Sequence, residues 1–188
     1  MALAPFIMEV DMADFNRLVD RLEVNISEAI RPAAQAAAQV FYDEVKRNVS
    51  QIKTVTGNLN KSIYQVYNKA ISVEGKVAVY DISWNKTKAP HGWLVERGHL
   101  QRYRYYQNAQ GQVRPMVRPG MDGRKKPSKR ASQATKDAYY VTLPSPIQIP
   151  GKAFIRKAKD KENAAIAAAK QTLLAVLAGG NPVYGADT

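Results

Sequence analysis

Three patterns in this chain predict an α+β fold: an antiparallel β-sheet packed against a long N-terminal helix and a C-terminal helix, with a long basic loop. Apolar residues recur at helical spacing through the first quarter, alternate with polar ones around glycine-containing turns in the middle, and return to helical spacing near the end. Between the alternating stretches lies a segment with little apolar periodicity and most of the positive charge. The 188 residues suit a single domain, with a core at about 11–178, a basic insert at 98–137 and a flexible tail at 179–188.

Residues 1–10 are a short apolar lead-in with Pro5, to which no structure is assigned. From Asp11, Met12, Phe15, Leu18, Val19, Leu22, Ile26, Ala29 and Ile30 form a helical stripe that resumes after Pro32 through Ala33, Val40, Phe41, Val45, Val49 and Ile52. Pro32 lacks an N–H and crowds the preceding turn, so the helix is expected to be kinked or broken near it. The run from Ala33 to Ala38 is thin enough for another helix or a neighbouring subunit to come close; plain core packing explains it equally.

Gly57 ends the helical region. Ile63, Tyr64, Val66 and Tyr67, then Ile71 and Val73, then Val77, Val79 and Tyr80 read as strands, with Glu74-Gly75-Lys76 as a hairpin turn and Trp84 closing the last strand. Ala89-Pro90-His91-Gly92-Trp93-Leu94-Val95-Glu96-Arg97-Gly98 reads as one short helix, opened by Pro90 and stopped by Gly98. Its apolar side, Trp93 included, is expected to pack on the sheet. That leaves Glu96 solvated, holding a neighbouring backbone, or paired with an arginine of its own chain or of a second subunit.

Residues 98–137 read as a long loop, and loops beyond about 12 to 15 residues are usually functional or disordered. Its front part, Arg102-Tyr103-Arg104-Tyr105-Tyr106, can instead form a projecting strand paired with Gln112 to Val117 around a turn at Asn108 to Gly111. The tip from Arg124 to Arg130 is expected to be mobile when unpartnered. Tyr139, Val141 and Leu143 alternate again, while Pro144, Pro146 and Pro150 indicate an edge or terminating strand. Phe154, Ala158, Ala165, Ile166, Ala169, Leu173, Val176 and Leu177 mark the last helix, stopped by Gly179-Gly180.

The formal charge of +12 points to an acidic partner. It is concentrated between Arg97 and Lys136, with Arg97, Arg102, Arg104, Arg114, Arg118, Arg124, Lys125, Lys126, Lys129, Arg130 and Lys136 against Asp122 alone. In the Arg-Tyr alternation of 102–106, cations can follow phosphates while tyrosines stack on bases; a protein–protein contact is the favoured reading, and a ribbon with one aromatic face on the sheet and one basic face in solvent is the plainest. Cysteine is absent, which excludes disulfides and thiolate metal sites. No apolar stretch approaches the roughly 20 residues of a membrane span and no basic leader precedes an apolar run, so a soluble protein used without export is expected.

Catalytic signals are lacking. The one group with metal-ligand chemistry is His91, Glu96 and His99, and about 100° per residue puts Glu96 about 140° and His99 about 80° round a helix from His91. No single face presents all three. There is no nucleophile elbow, P-loop or dinucleotide fingerprint. Neither an enzyme nor a cofactor is expected.

The order Ala-Pro-His-x-x-Leu-Val-Glu-x-Gly in 89–98 resembles the central motif of a family of tailed-bacteriophage proteins, the head-tail joining or tail-completion proteins (minor tail components) of long-tailed phages. Thr56-Gly57-Asn58-Leu59 with Lys61-Ser62-Ile63 is similar to a segment that follows the family's first helix. Pro150-Gly151-Lys152-Ala153-Phe154-Ile155-Arg156-Lys157-Ala158 is similar to its entry to the last helix, with Lys152-Ala153 where the family carries a proline before phenylalanine. Together they organise roughly residues 10–178. The resemblance makes Gly57, Leu59, Pro90, Trp93, Gly98 and Phe154 structural positions, with Phe154 a core anchor. It leaves Glu96, Arg102, Arg104, Arg124, Lys125, Lys126, Lys129 and Arg130 as candidates for interaction.

What it implies is a structural virion protein of the phage neck, assembled in the host cytoplasm. The protein would complete the head-proximal end of the tail and join it to the head as a hexameric ring around the DNA channel. Its partners would be the tail-terminator or tail-tube protein and a head-closure or connector protein, with possible contact to packaged DNA and none to membrane. A tail-terminator ring and a basic nucleic-acid-binding protein are the alternatives.

Overall fold

The computed structural model describes residues 13–52 and 57–179, with side chains described from residue 20 onward. The lead-in at 1–10, Met12, the side chains of Phe15, Leu18 and Val19, Thr56, Gly180 and the rest of the tail lie outside the described residues. The fold is α+β, and its strands form three two-stranded sheets among the described residues, not one. The chain divides into two compact units, one made of residues up to Val45, Ile63–Ser83 and Ala158 onward, the other of Lys46–Ser62 and Trp84–Lys157.

In the first unit, helix α1 (Ala13–Ser50) runs unbroken through Pro32. Of the kink or break expected near it, the break does not occur. Proline removes one backbone bond of a 38-residue helix, and its ring is fully buried, so packing offsets the loss. Ala29, Ala33, Gln35 and Ala38 share this buried stretch. Strands β1 (Ile63–Tyr67) and β2 (Tyr80–Trp84) pair beside it. The Arg31 guanidinium lies 4.5 Å from the Tyr67 ring centre, and the Tyr80 hydroxyl donates to Gln35 Oε1 at 3.5 Å. These contacts set α1 on the ribbon.

The predicted hairpin at 71–80 is smaller than its alternation suggests. Val73 and Val77 form one isolated bridge around Gly75 (φ 69°), whose missing Cβ would sit 3.1 Å from Ser27 Cβ. The sustained pairing is instead between β1 and β2. Leu22 (42% exposed) and Ile26 (45%) belong to the expected apolar stripe yet lie outside the core, as do Val24, Ile71, Val73 and Val77.

At the far end, the expected helix from Phe154 begins later, as a 3-10 segment (Arg156–Lys161) followed by helix α5 (Glu162–Leu177). Ala153, just before Phe154, has a left-handed φ of 53°, and its carbonyl accepts from the Lys157 N–H at 2.9 Å, a single turn that leads into the 3-10 segment. In α5, Ala165 and Val176 are buried, whereas Ile166 and Leu174 are exposed. Gly179, at φ 88°, stops it.

The second unit holds the last turn of α1, helix α2 (Asn58–Ser62), helix α3 (Gly92–Arg97), strand β3 (Gly98–Tyr103), the ribbon β4 (Tyr105–Gln107) with β5 (Val113–Pro115), helix α4 (Gln133–Tyr139) and strand β6 (Thr142–Pro150). The insert is therefore not simply a loop. Gly98 pairs with Pro150, His99 with Ile149, Leu100 with Gln148 and Gln101 with Ile147, antiparallel. The ladder then jumps to Tyr103 opposite Thr142, and Pro144 and Pro146 fall inside that irregularity. Residues without an N–H belong where no ladder bond is required. The β4–β5 ribbon turns at Asn108 to Gly111, as the alternative reading of this segment has it.

Candidate functional site

Three stretches far apart in sequence meet in the second unit, around Phe154 and Glu96. Phe154 is fully buried, and its ring meets that of Trp84 edge-on at 5.7 Å. Its carbonyl accepts from Asn48 Nδ2 at 3.0 Å, at the end of α1. Nearby, Lys46 Nζ donates to the Asn60 carbonyl and Asn60 Nδ2 to the Lys46 carbonyl, which ties α2 to the same turn. Leu59 is buried in α2, and Gly57 (φ 70°) precedes it. After Trp84, the Asn85 N–H donates to the Ser62 carbonyl, and Asn85 Oδ1 accepts from the N–H groups of Thr87 and Lys88. That turn delivers buried Ala89, then exposed Pro90, to α3.

Helix α3 reverses the expected polarity. Gly92 and Glu96 are its buried residues, while Trp93 (51% exposed) and Leu94 (44%) face outward. Gly92 is buried because a Cβ there would collide with the Trp84 indole. Trp93 has its ring covered by the Arg97 guanidinium at 3.9 Å, an i,i+4 cation–π pair on the open face. Packing on the sheet was the wrong expectation for Trp93, because the inward face belongs to the carboxylate.

Glu96 holds the segment after β6. One carboxylate oxygen accepts from the Ile155 N–H at 3.0 Å, the other from the Arg156 N–H at 3.3 Å and from Arg156 Nε at 3.2 Å. The carboxylate caps the 3-10 segment from outside, satisfying donors that a helix start leaves orphaned. The α3 backbone joins in: the Val95 carbonyl accepts from the Lys152 N–H at 2.7 Å, and the Glu96 carbonyl accepts from the Ala153 N–H at 3.1 Å. Gly98 and Gly151 permit this approach, since a Cβ on Gly151 would lie 2.5 Å from the Glu96 carbonyl oxygen. Ala153 explains the missing proline: its φ is positive and its N–H is used, and proline allows neither. Of the possible roles for Glu96, the structure assigns the one within the chain.

Helix α4 was missed by the sequence reading and organises the cationic part. The start signal is Ser132, whose hydroxyl accepts from the Thr135 N–H at 3.1 Å. Asp137 Oδ1 accepts from the Tyr103 hydroxyl at 2.8 Å and from Gln133 Nε2 at 2.6 Å. Those two bonds, then the nearby Arg102 and Arg118 guanidinium groups, hold the Asp137 carboxyl below its ordinary range. Burial, and next the bond to Asp137, raise the Tyr103 phenol; burial raises that of Tyr140, which packs on both Tyr103 and Tyr139. Arg118 Nε donates to the Asp137 and Tyr140 carbonyls.

The tip is tied to the same helix. The Tyr139 hydroxyl donates to the Arg124 carbonyl at 3.2 Å, and Lys136 Nζ to the Lys129 carbonyl at 2.8 Å. Arg102, Arg104, Arg124, Lys125, Lys126, Lys129 and Arg130 are all exposed; Arg102 acts on Asp137 through its charge alone, and the other six have no side-chain partner among the described residues. His91 is exposed, and Glu96 is taken up by its donors; no group of three potential ligands suited to a metal occurs among the described residues.

Residues 13–98 match the model of a family described as "Bacteriophage HK97-gp10, putative tail-component". This region is similar to that phage tail-component family. No curated protein and no solved structure matches the chain. The tail-component match ends at Gly98, the stop of α3, so the cationic insert and the Glu96-bound segment at 152–156 lie beyond it. The match supports a structural role in the phage tail and, with it, a place in the virion. Among the described residues no helix is long and apolar enough to cross a membrane.

Proposed function

We propose that this tail component acts at the phage neck, completing the head-proximal end of the tail and joining it to the head as a hexameric ring around the DNA channel. It works without chemistry of its own. The observation that carries the reading is the tail-component match over 13–98, whose last ten residues are the Ala89 to Gly98 motif. Exposed apolar side chains in the first unit support self-assembly: Leu22, Val24 and Ile26 on α1, and Ile71, Val73 and Val77 beside the 73–77 turn. Large apolar groups left in water suit a contact with a second copy. In a ring that contact is heterologous, one surface of each subunit meeting a different surface of the next. The ring's neighbours would be a tail-terminator or tail-tube protein on one side and a head-closure or connector protein on the other.

The test mixes separately purified heads and tails with the protein and counts joined particles by electron microscopy. Joining that depends on added protein is expected. Heads and tails that join equally well without it overturn the reading, and tails that lengthen without limit in its absence favour the tail-terminator alternative.

A further inference from the structure

We infer that the α4 scaffold presents a binding site for the sugar-phosphate backbone of double-stranded DNA, read without regard to sequence. Residues 97–137 carry eleven Lys and Arg against Asp122 and Asp137, which is nine of the chain's twelve net positive charges. Not all of these cations are available. Arg118 is used on the carbonyls of Asp137 and Tyr140, Lys136 on that of Lys129, and Arg114 on Gln112 Oε1. Arg104 after β3, and Arg124, Lys125, Lys126, Lys129 and Arg130 on the tip, are the unspent ones, and Arg102 on β3, which acts on Asp137 through its charge alone, makes no side-chain hydrogen bond among the described residues.

Five of those seven lie within seven residues, where like charges repel and favour an open, solvated chain. The chain is nevertheless pinned. Tyr139 holds the Arg124 carbonyl and Lys136 the Lys129 carbonyl, at the two ends of the cationic run, and the Arg124 N–H donates to the Met121 carbonyl. Helix α4 in turn is fixed to β3 through Asp137 and Tyr103. The backbone is thus held by neutral carbonyls while every guanidinium and ammonium of the run stays in solvent. That arrangement keeps cations at set positions without neutralising them, which is what a polyanion requires.

The chemistry favours nucleic acid over an acidic protein surface. Protein interfaces have apolar centres and are depleted in lysine, whereas DNA interfaces are strongly positive and polar. Residues 122–130 contain no apolar side chain other than Pro127. Tyr105 and Tyr106 are both about half exposed on the β4–β5 ribbon; adjacent strand residues point to opposite faces, so neither face of the ribbon is covered at this point. They are available to a sugar or base edge beside the phosphate track.

The experiment measures fluorescence anisotropy of a labelled random-sequence duplex over a series of salt concentrations, with the full chain and with R124Q/K125Q/K126Q/K129Q/R130Q. Wild type should bind, and the variant should bind more weakly with a log-log salt slope smaller by up to about 4.5, given about 0.9 per phosphate contact. A second variant, R102Q/R104Q, should lower the slope by up to about 2 on the same basis. Circular dichroism checks that each variant folds. Wild type that ignores the duplex at low salt, or a five-site variant with an unchanged slope, overturns the proposal. So does polyglutamate that competes as well as duplex at equal charge, which would mark an acidic protein as the partner, or single-stranded DNA bound more tightly than duplex. The neck reading is independent: a protein that binds duplex but joins no heads to tails loses that reading and keeps this one.

Discussion

Replacing Glu96 by glutamine separates a buried cap from a surface ion pair. The Glu96 side chain is 7% exposed and that of Arg156 is 67% exposed, although the two are 3.2 Å apart. An exposed arginine contributes little through such a pair, about 0 to 1 kcal/mol. The backbone donors of Ile155 and Arg156 are a different matter, because each faces its own carboxylate oxygen. Glutamine keeps one oxygen and sets an NH2 group against the other donor. A fully buried donor left unmet costs about 1 to 3 kcal/mol, and these donors are part-buried, which puts the cost toward the lower end. Glu96→Gln, which loses both the backbone bond and the ion pair, should therefore destabilise by about 1 to 3 kcal/mol, and Arg156→Met by about 1 kcal/mol or less.

A urea melt followed by tryptophan fluorescence reads both. Trp84 is buried beside Phe154 in the same unit, and a Trp93→Phe background removes the exposed indole, the chain having only two tryptophans. Equal losses for the two variants would mean that the ion pair, not the backbone cap, is what matters. A Glu96→Gln protein that melts like wild type but no longer assembles would refute the argument outright, moving the carboxylate from the interior of the subunit to a contact between subunits.

Phe154→Ala should cost about 3 to 5 kcal/mol in the same melt, since a fully buried ring is removed from beside Trp84; a loss under about 1 kcal/mol would contradict its place in the core. Ala153→Gly should stabilise by about 0.5 to 1 kcal/mol by relieving a left-handed alanine, and Ala153→Pro should lose about 3 kcal/mol or more, so equal midpoints would argue against the φ of 53°. Asp137 titrates below its ordinary value of 3.8, so its contribution is present above that pH and lost as pH falls through the lowered folded value; the difference in thermal midpoint between wild type and Asp137→Asn should be largest near neutrality and shrink below pH 3.8. A difference independent of pH would place the stabilising effect elsewhere than in the carboxylate charge.

The elements legible from the sequence are those whose signal is local and long. Helix α1 shows itself through many turns of apolar spacing, and the stop of α3 through a glycine that takes φ 82°. Pro32 misled in one respect, because whether a proline breaks a helix depends on how well its ring is packed, which periodicity does not report. The partner of β3 was hidden for a related reason. Its pairing with β6 joins residues about fifty apart and jumps register where Pro144 and Pro146 sit, so the β6 side reads as a terminating strand without naming its mate. Helix α4 has no buried residue at all, and a helix without an apolar stripe leaves only its Ser132 cap to be read.

The polarity of α3 shows most clearly what spacing leaves out. A six-residue helix with tryptophan, leucine and valine in a row has no phase to read, so the apolar residues are assigned inward by default. What decides the matter lies about sixty residues downstream, where two backbone N–H groups and a guanidinium need an acceptor, and only Glu96 on this helix can supply a charge. Once the carboxylate turns inward, Trp93 is carried outward and takes Arg97 as its cover. The resemblance held more of this than the spacing did, because the described parts of its motifs at 57–62, 89–98 and 150–157 lie together in the second unit, around Phe154 and Glu96. The tail-component match ends at Gly98, but the structure of that motif does not: a buried carboxylate is stable there only because residues 153–156 return to satisfy it.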